Sequence, residues 1–185
     1  IGTNNQGKYK EICNLLPFEI KKYSPRELEI SSPEETGKSF KENSFIKASY
    51  FSKKKNLICL SDDSGLEIDL LKGKPGIYSS RWSGDKNNFG LAIKKVFKEM
   101  SRVKKNWQRE NNARFVCSMT LYWPNGRSFS SLGIIKGKIS SEKKGKNGFG
   151  YDPIFIPEGY KKTFGEMNPK LKMSIDHRFK AFLKL

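Results

Sequence analysis

The apolar residues of this chain fall into two periods. In residues 8–16, KYKEICNLL, Tyr9, Ile12, Cys13 and Leu16 recur at helical spacing until Pro17 ends the run, which predicts a short amphipathic helix. The polar loop before it, Thr3-Asn4-Asn5-Gln6-Gly7, leaves the helix N-terminus free to offer backbone N–H groups to an anion. Residues 39–53 open on Ser39-Phe40-Lys41-Glu42, an S-x-x-E capping box in which serine and glutamate each satisfy an orphan N–H, and a second helix is expected there. Residues 89–100 place Phe89, Ile93, Val96, Phe97 and Met100 on one stripe of a third. From Pro169 onward Leu171, Ile175, Phe179, Phe182 and Leu183 keep helical spacing.

Elsewhere the period is two. Between 113 and 123, Ala113, Phe115, Cys117, Met119, Leu121 and Trp123 share one face of a long strand. Pro124-Asn125-Gly126 supplies a turn, and Arg127 to Ile139 returns as the second arm of a hairpin. Asn56 to Ser61 is a continuous apolar strand, with Gly65 expected to turn the chain sharply just beyond it. Helices interleaved with strands and a long antiparallel hairpin predict an α/β fold: a mixed, twisted sheet with helices on both sides. No internal repeat or low-complexity tract interrupts it.

Composition narrows the class. At 185 residues the chain suits one folding unit, with room for two lobes. No apolar run approaches the roughly 20 residues of a membrane span and no signal-peptide pattern opens the chain, so a soluble protein is expected. The chain begins Ile1-Gly2-Thr3 without methionine, and a first strand cut short is expected there. Cys13, Cys59 and Cys117, odd in number and set in apolar patterns, suit reduced core thiols and a cytoplasmic home. The formal net charge is +17, with only 7 Arg among 36 basic residues. Specific readers of nucleic acid lean on arginine, so scattered lysine points to solvated surface, although its field would draw in phosphorylated small molecules.

Against that basic background, ICLSDDSGLEIDL (58–70) sets Asp62 and Asp63 side by side at the end of an apolar run. Adjacent strand residues face opposite sides, so only one can point into a given cleft, and the other would orient loops. Two carboxylates this close repel unless a cation or backbone donors sit between them. Taken alone, Asp-Ser-Gly after a strand is ordinary turn chemistry. A second carboxylate pair, Glu34-Glu35, precedes a helix, and Lys8, Lys47 and Lys172 lie near the loops. Oxygen ligands for a hard cation, together with lysines and helix N-termini for phosphates, describe a nucleoside-phosphate site.

Six motifs then occur in order: Thr3-Asn4-Asn5-Gln6-Gly7-Lys8; Glu35-Thr36-Gly37 with Phe40-Lys41-Glu42-Asn43 and Lys47-Ala48; Asp62-Asp63-Ser64-Gly65-Leu66; Pro75-Gly76-Ile77-Tyr78-Ser79-Ser80-Arg81; Gly148-Phe149-Gly150-Tyr151-Asp152-Pro153; and His177-Arg178. In this order they resemble the inosine triphosphate pyrophosphatase (Ham1-like) family, and the resemblance runs from Thr3 to Leu185. It implies one two-lobed domain over residues 1–185 with a central cleft, hydrolysing the non-standard purine nucleotides ITP, dITP and XTP to monophosphate and pyrophosphate with Mg²⁺. It further implies a homodimer with no need of nucleic acid or membrane. Residue by residue, it implies that Thr3, Asn4, Asn5, Gln6, Gly7 and Lys8 cradle phosphates, supported by Lys47. Glu35 and Asp63 would hold the metal, with Asp63 as the base for the attacking water. Ser64 and Lys172 would touch the nucleotide, Phe149, Gly150, Tyr151 and Asp152 would form the base platform, and His177 and Arg178 would read the base edge.

The chemistry of that last pair is coherent, because hypoxanthine and xanthine carry an acceptor oxygen at position 6 where adenine carries a donor. Sites built on hydrogen bonds reject the wrong partner by as much as roughly 10⁴ in favourable cases. One position departs from the family: Asp176 stands where serine is usual before His-Arg. On one continuous helix Lys172, His177 and Arg178 would point about 0°, 140° and 240° around the axis, so a break between Ser174 and Asp176 is predicted, with Asp176 capping a new helix. The Lys-rich segment 136–146 carries no assignable chemistry. Two alternatives remain open: a pyrophosphatase of similar fold acting on other modified nucleotides, and a basic nucleic-acid-binding module without catalysis.

Overall fold

The computed structural model describes residues 1–84 and 88–185. Among these residues five α-helices and four strands carry the fold: α1 (Gln6–Leu15), α2 (Phe40–Lys55), β1 (Cys59–Ile68), α3 (Phe89–Val103), β2 (Asn112–Tyr122), β3 (Ser128–Ile139), β4 (Phe155–Pro157), α4 (Pro169–Ile175) and α5 (His177–Phe182). The strands form a sheet in the order β1-β2-β3-β4. The expected hairpin is present, closed where Trp123 N donates to Arg127 O and Gly126 N to Trp123 O. β4, too short to show a period, pairs antiparallel with β3 with Ile139 opposite Phe155.

The chain forms two compact units. Unit 1 comprises residues 1–63, 117–133 and 177–185, and unit 2 residues 64–116 and 134–176. In unit 1 the expected helices start where their caps predict. Asn5 caps α1 by accepting from Lys8 N at 3.0 Å, and Ser39 caps α2 by accepting from Glu42 N at 3.2 Å. The capping box closes one residue early, since Glu42 Oε2 takes the N–H of Lys38. Ile12 of α1 and Ala181 of α5 pack on Leu60, Cys117 and Met119. The residues of β2 that alternate with these, Ser118 and Thr120, are buried as well, their hydroxyls bonded to Ser44 of α2 at 3.1 and 2.8 Å. Period two therefore marks two buried faces here, one apolar and one of satisfied hydroxyls. All three cysteines are free, and burial pushes the Cys59 thiol up to about 11, where it stays protonated and inert.

In unit 2 the stripe of α3 covers the core as predicted: Ile93, Val96 and Met100 pack with Leu66, Ile68, Phe115, Ile135, Phe155 and Phe164. At the C-terminus the predicted break is found. α4 ends at Ile175, Asp176 is extended (φ −73°, ψ 175°), and α5 begins at His177.

Two expectations of the fold fail. Among the described residues no strand precedes α1, so the first strand expected at the start of the chain is not found. The chain does not turn at Gly65: Asp62, Asp63, Ser64 and Gly65 lie inside β1, which runs on to Ile68. Gly65 is not among the glycines with positive φ, and Leu66 and Ile68 are fully buried. An apolar destination on the far side keeps the strand extended through a sequence that would otherwise favour a turn.

Within unit 1, β3 admits α5 only because residue 133 has no side chain. A Cβ on Gly133 would stand 2.1 Å from the His177 carbonyl oxygen and 2.3 Å from Ala181 N. Gly133→Ala is expected to destabilise the protein by about 2 to 3 kcal/mol through overpacking against rigid backbone, measured by urea unfolding.

Candidate functional site

The site in unit 1 grows from β1. Asp62 and Asp63, adjacent on the strand, share Lys8 and otherwise take different partners. Asp63 accepts from Asn43 Nδ2 at 3.2 Å and lies 3.5 Å from Lys47 Nζ, both presented by α2 at positions four apart, hence on one helix face. Asp62, wholly buried, accepts from Arg178 Nε at 3.2 Å. Lys8 Nζ reaches both, 3.3 Å from Asp62 Oδ2 and 3.9 Å from Asp63 Oδ1. Lys47 Nζ is also 2.5 Å from Glu35 Oε1. The loop carrying Glu35 is pinned to the same helix, because Asn43 Oδ1 accepts from Gly37 N at 2.8 Å while its Nδ2 serves Asp63. Arg178 Nη1 lies 2.5 Å from Glu11 Oε2.

Unit 1 thus brings together Lys8, Glu35, Lys47, Asp63 and Arg178 of the expected residues. Around them Thr3 accepts from Asn5 N, Asn5 caps α1, and Asn4 donates to Ser32. Asn4 and Gln6 line a shallow depression with Arg26, Glu29 and Ile30. Gly7 lies in the first turn of α1. One N–H expected to be free for an anion, that of Lys8, is taken by Asn5. His177 is buried at the start of α5.

Unit 2 assembles a second set. Phe149 N donates to Asp152 Oδ2 at 2.8 Å, and the same oxygen takes Lys172 Nζ at 2.6 Å. Lys172 Nζ stands 5.0 Å from the Phe149 ring centre and 5.6 Å from that of Phe164, a desolvated cation over two aromatic faces. This loop requires glycine at 148, where φ is +72° and a Cβ would lie 2.0 Å from Asp152 Oδ2. Gly150 (φ +65°) carries the chain past Phe89. The Tyr151 ring meets Phe89 edge-on, and its hydroxyl donates to Ser79 O. Ser64 is half-buried where β1 enters this unit.

Of the unit 1 network, Glu11 lay outside the motifs, while Asn43 and Asp62 stood inside them without a site role of their own. Glu11 had a signal, since it falls three residues after Lys8 on the same helix face. Asn43 is four before Lys47. Asp62 gave only its adjacency to Asp63.

Burial is the strongest influence on both groups of the central pair. It pushes the Asp63 carboxyl up; Lys47 and Lys8 pull it back, Glu35 and Asp62 add to the rise, and the net is upward. Burial pushes the Lys47 ammonium down, but the carboxylates of Asp63, Glu35 and Asp62 outweigh it and hold Lys47 above its ordinary value. Lys47 therefore stays charged, and Asp63 is a better proton acceptor than an exposed aspartate.

The sequence matches the Ham1 family over residues 1–185. The chain belongs to the Ham1 family. Among Ham1 relatives, the dITP/XTP pyrophosphatase of Rhodospirillum centenum is 40% identical over 186 residues, covering 100% of this chain and 91% of that protein. That of Oceanobacillus iheyensis is 42% identical over 188 residues, covering 100% and 94%. Of solved Ham1 structures, the HAM1 protein from Coxiella burnetii superposes with a TM-score of 0.87 at 35% identity, over 99% of this chain and 93% of that one. The Staphylococcus aureus Ham1 protein gives 0.85 at 32%, over 99% and 93%.

Because burial disfavours the charged carboxylate, Asp63 is expected to titrate above 3.8 in metal-free protein, and higher still in Lys47→Met, which removes the first cation opposing the rise. Side-chain carboxyl carbon-13 NMR, with Asp63→Asn to assign the signal, checks both directions.

Proposed function

We propose that this protein hydrolyses ITP, dITP and XTP to the monophosphate and pyrophosphate by attack of water at the α-phosphorus, removing aberrant purines from the nucleotide pool. The observation that carries the reading is the alternation Glu35, Lys47, Asp63, Lys8 within one unit, in a Ham1 chain about 40% identical to dITP/XTP pyrophosphatases. Hydrolysis of a polyanion needs charge neutralisation and a positioned water more than covalent chemistry, and these residue types supply both.

Each residue then has a task. Lys8 and Lys47 offset phosphate charge. Asp63, less acidic than usual, accepts the proton of the attacking water. Asn43 fixes which Asp63 oxygen is left toward the lysines. Thr3, Asn4, Asn5, Gln6 and Gly7 place the first turn of α1 against phosphate oxygens. In unit 2, Phe149 offers a ring face to the base, and Asp152 and Lys172 hold that ring in place, with Gly150, Tyr151 and Ser64 completing the lining. Arg178 and His177 supply donors for the oxygen at position 6. The two carboxylates engaging Arg178 fix the plane of its guanidinium, a condition for directional donation.

The donor set fits a divalent metal. Glu35 and Asp63 converge on a single cationic atom, Lys47 Nζ. Among the described residues the ion pairs of this cluster set four carboxylates (Glu11, Glu35, Asp62, Asp63) against three cations (Lys8, Lys47, Arg178), inside a chain of net charge +17. Among the described residues no group of three or more His, Cys, Asp or Glu is placed to hold a metal. Two carboxylates suit Mg²⁺, which keeps several waters and shares substrate phosphates rather than demanding a complete protein cage. When bound, the ion would neutralise the triphosphate and polarise its reacting phosphoryl group. A homodimer and a cytoplasmic home are proposed with the activity. The free cysteines support the latter. Among the described residues no helix is long and apolar enough to cross a membrane.

Pyrophosphate release from ITP, dITP, XTP, GTP and ATP, with and without Mg²⁺, tests the reading. Hydrolysis of the first three, little of the last two, and dependence on a divalent ion are expected. Asp63→Asn should lower kcat by about 10² or more. Phe149→Ala should act mainly on KM, by about ten-fold for a stacking contact of 1 to 3 kcal/mol. Preference for modified pyrimidine triphosphates, or nucleic-acid binding without hydrolysis, would replace this reading with one of the alternatives.

A further inference from the structure

Asp62 holds more of the unit 1 network than the Arg178 guanidinium it helps to orient. Asp62 is fully buried in the middle of β1, and its Oδ2 faces Lys8 Nζ at 3.3 Å and Arg178 Nε at 3.2 Å. We propose that Asp62 is a positioning residue, a single buried carboxylate oxygen that anchors both Lys8 and Arg178 and so fixes the cation beside Asp63 and the guanidinium on α5 relative to each other. The inference deepens the pyrophosphatase reading and rests on it.

The geometry argues for positioning rather than fold maintenance alone. Lys8 has two carboxylates within reach, and Asp62, at 3.3 Å, is nearer than Asp63 at 3.9 Å. Asp62 therefore draws the ammonium off Asp63 Oδ1, which keeps Lys47 at 3.5 Å as its closer cation. Arg178 is held on two sides, Nε by Asp62 and Nη1 by Glu11, so its plane is set by two anions from different elements. α1, which carries Lys8 and Glu11, packs against α5, which carries Arg178. The thiol of Cys117 on the neighbouring strand lies 3.9 Å from the same Asp62 oxygen. The result is one alternating path, Asp63, Lys8, Asp62, Arg178, Glu11. Neutralising its middle member leaves Lys8 to close on Asp63 and loosens Arg178 from β1 while Glu11 still holds its Nη1.

Asp62→Asn keeps the shape and removes the charge. In wild-type protein active on dITP, the variant is expected to lose at least ten-fold in kcat/KM for dITP. Part of the loss should fall on kcat through Lys8. The dITP-to-ATP preference should narrow at least three-fold through Arg178, and the Arg178 Nε–H signal in nitrogen-15 NMR, assigned with Arg178→Lys, should shift or broaden. Thermal melting monitors the fold. If Asp62→Asn does not fold, the pair Asp62→Asn with Arg178→Gln, which leaves no guanidinium opposite a neutral side chain, is compared with Arg178→Gln alone. A further loss in kcat, carried by Lys8, is expected there. Asp62→Asn activity within three-fold of wild type at unchanged preference, an equal loss for dITP and ATP with the Arg178 signal unmoved, or a pair indistinguishable from Arg178→Gln would each overturn the proposal. Wild-type protein that releases no pyrophosphate from dITP would overturn the pyrophosphatase reading instead, while the Arg178 signal would still decide whether Asp62 anchors it.

Discussion

Two adjacent carboxylates inside a strand impose the constraint from which unit 1 is built. An ion moved out of water costs several kcal/mol even after relaxation, and that cost is offset only if opposite charges meet it with good geometry. Asp62 and Asp63, expected to point into different clefts, both come within reach of Lys8 Nζ but take separate further partners, so the constraint acts twice. α1 and α5 bring Lys8 and Arg178 to one carboxylate, while α2 brings Asn43 and Lys47 to the other. Elements distant in sequence are thereby tied to one strand by charge as well as by apolar contact. The arrangement is a weak source of net stability and a strong source of specificity in where each cation sits.

Much of this was legible in the sequence, for reasons that differ by residue. The caps at Asn5 and Ser39, the stripe of α3, and the break at Asp176 are local chemistry, and local chemistry survives folding. Gly65 misled because its neighbours Asp63 and Ser64 favour turns, whereas the destination of Leu66 and Ile68 in the unit 2 core decided the backbone. The period-two reading of β2 found the strand from its apolar face, and that the alternating Ser118 and Thr120 are buried as well depends on Ser44 of α2 being brought onto them. Glu35, Lys47 and Asp63 were found through motif order. Their meeting at one ammonium is a tertiary fact that no spacing along the chain encodes.

The two units solve the problem of a buried lysine in different ways. Lys47 is surrounded by carboxylates, which overcome the burial that would otherwise discharge it. Lys172 meets the carboxylate of Asp152 and the faces of Phe149 and Phe164. An aromatic face is a weak counter-charge that a stacked ring can share, whereas a carboxylate competes with any approaching anion for the ammonium. The carboxylate-rich setting suits a place where a second cation is to be held, and the aromatic setting suits a flat, uncharged ring. That contrast agrees with the division proposed between phosphate chemistry in unit 1 and base stacking in unit 2.

The sign of the charge also differs between the whole and the part, and the difference has a consequence for substrate form. A chain of net charge +17 raises the local concentration of any polyanion, at a rate that falls with salt. Among the described residues the ion pairs of the unit 1 cluster, by contrast, set four carboxylates against three cations, so a bare triphosphate drawn in by the long-range field would meet unfavourable charge beside Glu35 and Asp63. A triphosphate already carrying a divalent ion would meet those carboxylates with its own positive centre. On the reading proposed above, the metal-bound nucleotide is the preferred form, because it would meet the carboxylates without stripping the lysines from the phosphates they are proposed to neutralise.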